Sequence, residues 1–403
     1  MTAEAKAGAM DSEGLHAVEA LSQQQIDKGL HPGASLAVYR HGRLVLELFG
    51  GLARLPPASP GANPPPAKEA DPPGRAAVWP PSAGDRQAEQ ESGRPVTPET
   101  LFVLFSSTKP LSAVCLHILL ERGRFELDDP VARYWSEFAR NGKAGVTIRH
   151  VLTHSGGFPQ NPPQLLPRKW GDWSAIVQAM EEIEPIWEPG QDTGYHPLNF
   201  GWVVGELVKR LDGRPISQFL REEVTGPLGM RNTYLGLPPE LEGRVARLYT
   251  MDNEVDPQAA ATFNRPDVHQ AVVPAGGGIS TARDLARFYA MLAAGGTLDG
   301  VRILSPESVE RATAVQVEVR RDRSLGIPMR WALGFHLGGN RVDLFGYDTS
   351  PRAFGHGGHG SSVGWADPDL ALAVAIITNG LRSPAGHALR VAALSAAIRR
   401  ACL

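Results

Sequence analysis

Apolar residues recur at helical spacing over 15–30, a run closed by Gly29 and Pro32, and a helix is predicted there. Residues 34–40 and 44–49 read as two strands joined at the His41-Gly42 turn. Helical periodicity returns over 111–120, 129–138, 173–183, 199–211 and 216–224, and again over 284–294. Residues 331–337, 352–356, 361–366 and 370–378 carry strand patterns, and 386–400 reads as a closing helix. This order predicts an α+β chain. An antiparallel sheet flanked by helices, an α/β sandwich, is expected from 10–52, 94–108 and 282–403, with an all-helical domain over 109–281.

One stretch breaks the pattern. Within 53–93, proline recurs in Pro56-Pro57, Pro64-Pro65-Pro66, Pro72-Pro73 and Pro80-Pro81 among small and charged residues. Such a composition buries too little apolar surface to fold alone, and a flexible surface insert is expected. Val78 and Trp79 are its apolar anchor, and docking over a cleft is expected of them.

Candidate chemistry begins where the strand pair gives way to the first long helical run. Ser106-Ser107-Thr108-Lys109 follows the apolar Leu101, Phe102, Val103, Leu104 and Phe105, and Pro110 comes next. Proline is tolerated only near a helix start, which places the helix N-terminus at about Ser106 or Ser107. Positions i and i+3 share a face, so the Ser106 hydroxyl and the Lys109 amine can meet. The positive end of the helix dipole disfavours a charged lysine and favours an attacking oxyanion. A neutral lysine beside a serine is a base beside a nucleophile, and the chain reads as a serine acyl-transfer enzyme. The pair alone is equally well explained as a helix-capping serine and a solvent-facing lysine.

Two further stretches bear on that choice. Glu188-Pro189-Gly190-Gln191-Asp192-Thr193-Gly194-Tyr195-His196-Pro197 is a loop entering the helix predicted over 199–211. Near a lysine cation, Tyr195 would serve as general base or acid; otherwise it is a surface aromatic. Phe354-Gly355-His356-Gly357-Gly358-His359-Gly360 is a glycine-dense strand of the kind used where another backbone approaches closely. Such a strand can aim an N–H at an oxyanion, and it can equally be a glycine-rich edge hairpin.

In this order the three stretches resemble the serine β-lactamase and penicillin-binding-protein family, above all its class C branch and the family VIII carboxylesterases. Val146 to Gly157, Pro274 to Leu285 and the Gly364-Trp365-Ala366-Asp367-Pro368 turn fit the same branch. The resemblance implies a β-lactamase/transpeptidase-like fold with Ser106 acylated, Lys109 its proton partner and Tyr195 the proton shuttle. It further implies an oxyanion hole from the backbone N–H groups of Ser106 and His359, and substrate contacts at His356, Gly357 and Gly358. Two departures stand out. Tyr195 is followed by His196 and Pro197, so the asparagine of the family's Tyr-x-Asn motif is missing or displaced to Asn199. His356 stands where the family carries lysine, which removes a fixed positive charge. Both favour a cofactor-free serine carboxylesterase acting on small neutral esters over a β-lactamase or D-amino-acid peptidase. A transesterase and a non-catalytic scaffold are the further alternatives.

Three patterns are decoys. Gly360-Ser361-Ser362-Val363-Gly364 matches G-x-S-x-G, but a second strand follows instead of the required helix. His150 and His154 stand at i and i+4 without the glutamate of a zinc helix, and His356 and His359 lie on a glycine strand; no metal is expected at either. At 403 residues, 42% hydrophobic and 21% charged, the chain has the composition of a globular protein with room for two packed regions. A formal charge of -3 gives no footprint for nucleic acid or an anionic membrane. Cys115 and Cys402 form no metal or redox pattern, and with no signal peptide visible a cytoplasmic location is expected.

Overall fold

A computed structural model of the chain describes residues 10–57 and 93–402. Most of the Pro-rich stretch, with Val78 and Trp79, lies outside the described residues. The elements that place the site are, in chain order, α1 (Ser12–Asp27), β1 (Gly33–Arg40), β2 (Arg43–Arg54), β3 (Arg94–Pro95) and β4 (Phe102–Val103). A 3-10 turn (Phe105–Thr108) leads into α2 (Lys109–Glu121), followed by α3 (Trp173–Glu182), α4 (Asn199–Asp212), β5 (Tyr234–Leu235) and β6 (Gly278–Ser280). Then come α5 (Ala282–Ala293), β7 (Val317–Val319), β8 (Met329–Trp331) and β9 (His336–Leu337). The chain closes with β10 (Phe354–Gly358), β11 (Ser362–Asp367), β12 (Leu372–Thr378) and α6 (Pro384–Arg400).

Nine strands form one antiparallel sheet in the order β7-β8-β9-β10-β11-β12-β1-β2-β3. Strand alternation divides its side chains between two cores. Leu36 and Val38 of β1, Val374 and Ile376 of β12 and Trp365 of β11 face Val18 of α1 and Val391, Leu394 and Ile398 of α6. Ala37 and Tyr39, with Ala373 and Ala375, face the other way, against Leu285, Ala286 and Tyr289 of α5. Small residues on that face let α5 lie close. The same core continues into α2 and α4 through Ala113, Val114, Val203, Val204 and Leu207. The result is the expected α+β arrangement, a sheet between helices with a further helical portion.

The differences from expectation are local. Residues 129–138 form two 3-10 turns, Val131–Arg133 and Ser136–Ala139, instead of a helix. Pro130 precedes the first turn, and the Asp129 carboxylate is occupied by the Glu126 N–H, the Arg133 guanidinium and the Tyr134 hydroxyl. The strand expected over 331–337 is broken by Gly334, at φ +90°, into β8 and β9. Strands β5 and β6 interrupt the stretch expected to be wholly helical, and β6 pairs with both β4 and β5 at the centre of a three-stranded sheet. They are two and three residues long, too short for alternation to be seen. Among the described residues no helix is long and apolar enough to cross a membrane.

Candidate active site

The segment carrying Ser106 is fastened on both sides. Ser107 is buried, and its hydroxyl donates to the His356 carbonyl at 3.0 Å and meets the Ser362 hydroxyl at 3.0 Å. The Thr108 hydroxyl donates to the Phe105 carbonyl at 2.6 Å and accepts the Gly278 N–H at 2.9 Å. Ser112, one turn on, donates to the Pro274 carbonyl at 2.6 Å. Phe105 takes the left-handed region at φ +48°, a conformation that costs about 1–3 kcal/mol for a residue with a side chain. Its ring packs on Phe263 at 4.5 Å between centroids. This bend turns the chain from β4 into the helix and leaves Ser106 partly exposed.

Three separated groups meet at Ser106. Lys109 Nζ lies 3.1 Å from Ser106 Oγ and 2.7 Å from Tyr195 Oη, and Tyr195 Oη lies 2.6 Å from Ser106 Oγ. Nζ also donates to the carbonyls of Pro197 at 2.7 Å and Ala275 at 3.2 Å. The amine is fully buried, and among the described residues no carboxylate pairs with it. Burial therefore holds its pKa well below the ordinary lysine value. In a neutral amine the two carbonyls take both hydrogens, and the lone pair is left to face the two hydroxyls. The Tyr195 phenol is pushed above its ordinary value by burial.

The Tyr195 ring stacks on Trp331 at 5.8 Å and 7°, and lies 4.9 Å from the His154 ring and 5.9 Å from the His356 ring. The loop is pinned residue by residue. The His154 carbonyl accepts the Gly194 N–H at 3.1 Å, and His154 Nδ1 accepts the His196 N–H at 3.2 Å. His196 in turn accepts the Phe158 N–H on Nε2 at 3.0 Å, so its Nδ1 carries the proton given to the Gly194 carbonyl at 2.6 Å. Burial lowers His196 to about 3, and His154 and His356 likewise lie well below the ordinary histidine range.

The remaining sequence candidates separate. His356 is buried, with Nδ1 against the Gly357 carbonyl at 2.7 Å and Nε2 without a partner among the described residues. Gly357 lies on the opposite face of β10, where a Cβ would meet Leu344 at 2.2 Å. At Gly358 a Cβ would lie 2.2 Å from the Leu104 carbonyl oxygen, so the end of β10 abuts the Ser106 turn. The His359 ring stands 5.7 Å from that of Phe105. Asn199 is turned away from Ser106: its amide N–H groups go to the carbonyls of Phe158 at 2.8 Å and Gln160 at 2.7 Å. Ser362 is buried on β11 and donates to the Leu104 carbonyl at 2.6 Å. Among the described residues no cluster of three or more His, Cys, Asp or Glu is placed to hold a metal. Trp331 and the Pro197 and Ala275 carbonyls were not anticipated from the sequence. Backbone acceptors leave no residue-type signal, and Trp331 sits in an ordinary apolar run.

Ser106, the buried Lys109 amine and the Tyr195 phenol thus lie within hydrogen-bond reach of one another where the sheet meets the helical portion. Residues 18–398 match the Beta-lactamase family profile, and the chain belongs to that family. It is 33% identical over 327 residues to the Esterase/beta-lactamase LipL of Mycobacterium tuberculosis (strain ATCC 25618 / H37Rv), covering 74% of this chain and 73% of that protein. Among solved structures it is similar to a penicillin-binding protein homologue from Caulobacter crescentus, with a TM-score of 0.78, 29% identity, and coverage of 98% of this chain and 99% of the other. A family VIII carboxylesterase structure matches with a TM-score of 0.78 and 28% identity over 98% of this chain and 99% of its own.

Proposed function

We propose that the protein is a serine carboxylesterase that cleaves small, neutral carboxylic esters through an acyl-enzyme on Ser106. The observation that carries this reading is the triangle of Ser106 Oγ, Lys109 Nζ and Tyr195 Oη, with sides of 3.1, 2.7 and 2.6 Å. In this mechanism Ser106 passes its proton to neutral Lys109 as Oγ bonds to the acyl carbon and the carbonyl electron pair moves onto oxygen. That oxyanion is received by the N–H groups of Ser106 and His359, each donor contributing about 3 kcal/mol. On collapse the carbon–oxygen bond to the alcohol breaks. Tyr195 gives the leaving alkoxide its proton and regains one from the Lys109 ammonium. Water then attacks the acyl-enzyme, its proton taken by the same pair, and the acid leaves with Ser106 restored.

Ester over β-lactam is supported by His356, which burial keeps neutral at the third-motif position, so no fixed charge is supplied there for a substrate carboxylate. The family VIII carboxylesterase among the structural relatives points the same way. The test is intact-mass detection of an acyl adduct formed from short p-nitrophenyl esters, with the modified residue mapped. Wild-type protein is expected to carry the adduct on Ser106, and Ser106→Ala to lose both the burst and fluorophosphonate labelling. Full activity in Ser106→Ala would refute the assignment. Turnover of a chromogenic cephalosporin at a kcat/KM matching the esters would move the reading to β-lactam hydrolysis.

A further inference from the structure

Asp322 is completely buried, at 0% exposure, in the connection between β7 and β8, although its neighbours Arg321 and Arg323 are exposed. Arg323 pairs with Asp192, and among the described residues no arginine, lysine or histidine lies within ion-pair distance of Asp322. Its partners are N–H donors. Oδ1 accepts from the backbone of Tyr195 at 3.0 Å, Ser324 at 2.9 Å and Leu325 at 3.0 Å, and Oδ2 lies 3.4 Å from Trp331 Nε1. The Arg323 N–H also reaches the Thr193 carbonyl at 2.9 Å. One carboxylate thus binds both the main chain of the tyrosine and the indole on which its phenol ring stacks. A neutral side chain could close the 322–325 turn, so what the carboxylate adds is the link from that turn to the Tyr195 main chain and the Trp331 indole.

Resting on the esterase chemistry proposed for Ser106, we propose that Asp322 is a positioning residue for Tyr195. It ties the tyrosine loop and Trp331 into one rigid unit, and its negative charge keeps the phenol in the protonated form that the leaving alkoxide requires. The phenol lies against Lys109, which becomes an ammonium after acylation begins, and beside His154 and His356. A cation next to a phenol favours its ionisation, and a buried carboxylate behind it opposes that. Tyr195 is raised first by burial, and the nearby Asp322 acts in the same direction as a lesser contribution.

Leaving groups distinguish this role from a merely structural one. p-Nitrophenoxide departs without a proton, whereas the alkoxide of a simple alkyl acetate needs one. Asp322→Asn retains a side-chain acceptor for the three backbone N–H groups and removes the charge; Asp322→Ala removes both. Both variants are expected to lose about 10- to 100-fold in kcat on ethyl acetate and less than about threefold on p-nitrophenyl acetate, with KM unchanged. Tyr195→Phe should show the same bias. Equal losses on the two esters, or no loss, would overturn the proposal, and if Asp322→Ala fails to fold, Asp322→Asn decides alone. Wild-type protein that never acquires an acyl group on Ser106 would overturn the esterase reading itself. An acylated wild type whose variants show no leaving-group bias overturns the role of Asp322 only.

Discussion

Lys109 owes its chemistry to where it is placed. A buried ammonium without a counter-ion costs several kcal/mol, so burial pushes the amine toward its neutral form, and two carbonyls and two hydroxyls occupy it. Replacing it with an apolar side chain of similar length should therefore separate stability from activity. For Lys109→Met, kcat is expected to fall by about 100- to 10,000-fold while the unfolding free energy stays level or rises by up to about 2 kcal/mol. Parallel ester kinetics and urea melts check this, and loss of both together would make Lys109 a structural residue. Legibility in the sequence followed range. The approach of Ser106 to Lys109 is set within one helical turn, so spacing allowed it, although the pair alone read equally well as a helix cap and a solvent-facing lysine. Tyr195 was named as a candidate by its loop and by family resemblance, but its 2.6 Å approach to Ser106 depends on contacts from distant strands. Asp322 gave no signal, because Arg-Arg-Asp-Arg reads as a solvated charge run until β7 and β8 fold it inward.

Among the elements, the tightest fit is between α5 and the sheet. At Gly364, in the middle of β11, an added Cβ would lie 2.3 Å from Tyr289 Cε2 and 3.0 Å from Cδ2. Tyr289 is fully buried, so neither ring nor helix can yield without disturbing its neighbours. Gly364→Ala is expected to destabilise the protein by about 1–3 kcal/mol, read as a lower urea midpoint at unchanged slope. A midpoint equal to wild type would mean that α5 can shift freely on the sheet. Elements with long, uniform patterns were visible in the sequence: α1, α2, α4, α5 and α6 each lie within three residues of their expected bounds. The failures share a cause. Over 129–138 helical spacing of apolar residues was present, but the backbone leaves the helical region at Trp135, at φ -142° and ψ 81°, which separates the two 3-10 turns. Over 331–337 the apolar run was real, and the left-handed φ of Gly334 separated one strand from two.

Across the whole molecule, buried imidazoles couple folding to pH. His31 in the connection after α1, His117 on α2, His196 beside the tyrosine, His336 on β9 and His387 on α6 are lowered to about 3, 4, 3, 4 and 3 respectively, in each case first by burial. In the unfolded chain each returns to 6.5. Because the folded values are the lower ones, the unfolded state binds more protons between these limits. The stability is fully present above pH 6.5 and is lost as pH falls towards 3–4. Each histidine can remove about 1.4 kcal/mol per pH unit in that window. Asp343 acts in the opposite sense: burial raises it to about 6 from 3.8, so protonating it on the way down favours the folded state. Asp284 and Asp367 are likewise raised by burial, and three carboxyls do not offset five imidazoles spread over both sides of the sheet. The urea midpoint is therefore expected to hold near neutrality and then to fall steeply between pH 6.5 and 4.5, with a slope in unfolding free energy corresponding to at least about two protons. A midpoint that does not move over this range would mean that these imidazoles take up protons in the folded protein as readily as in the unfolded chain.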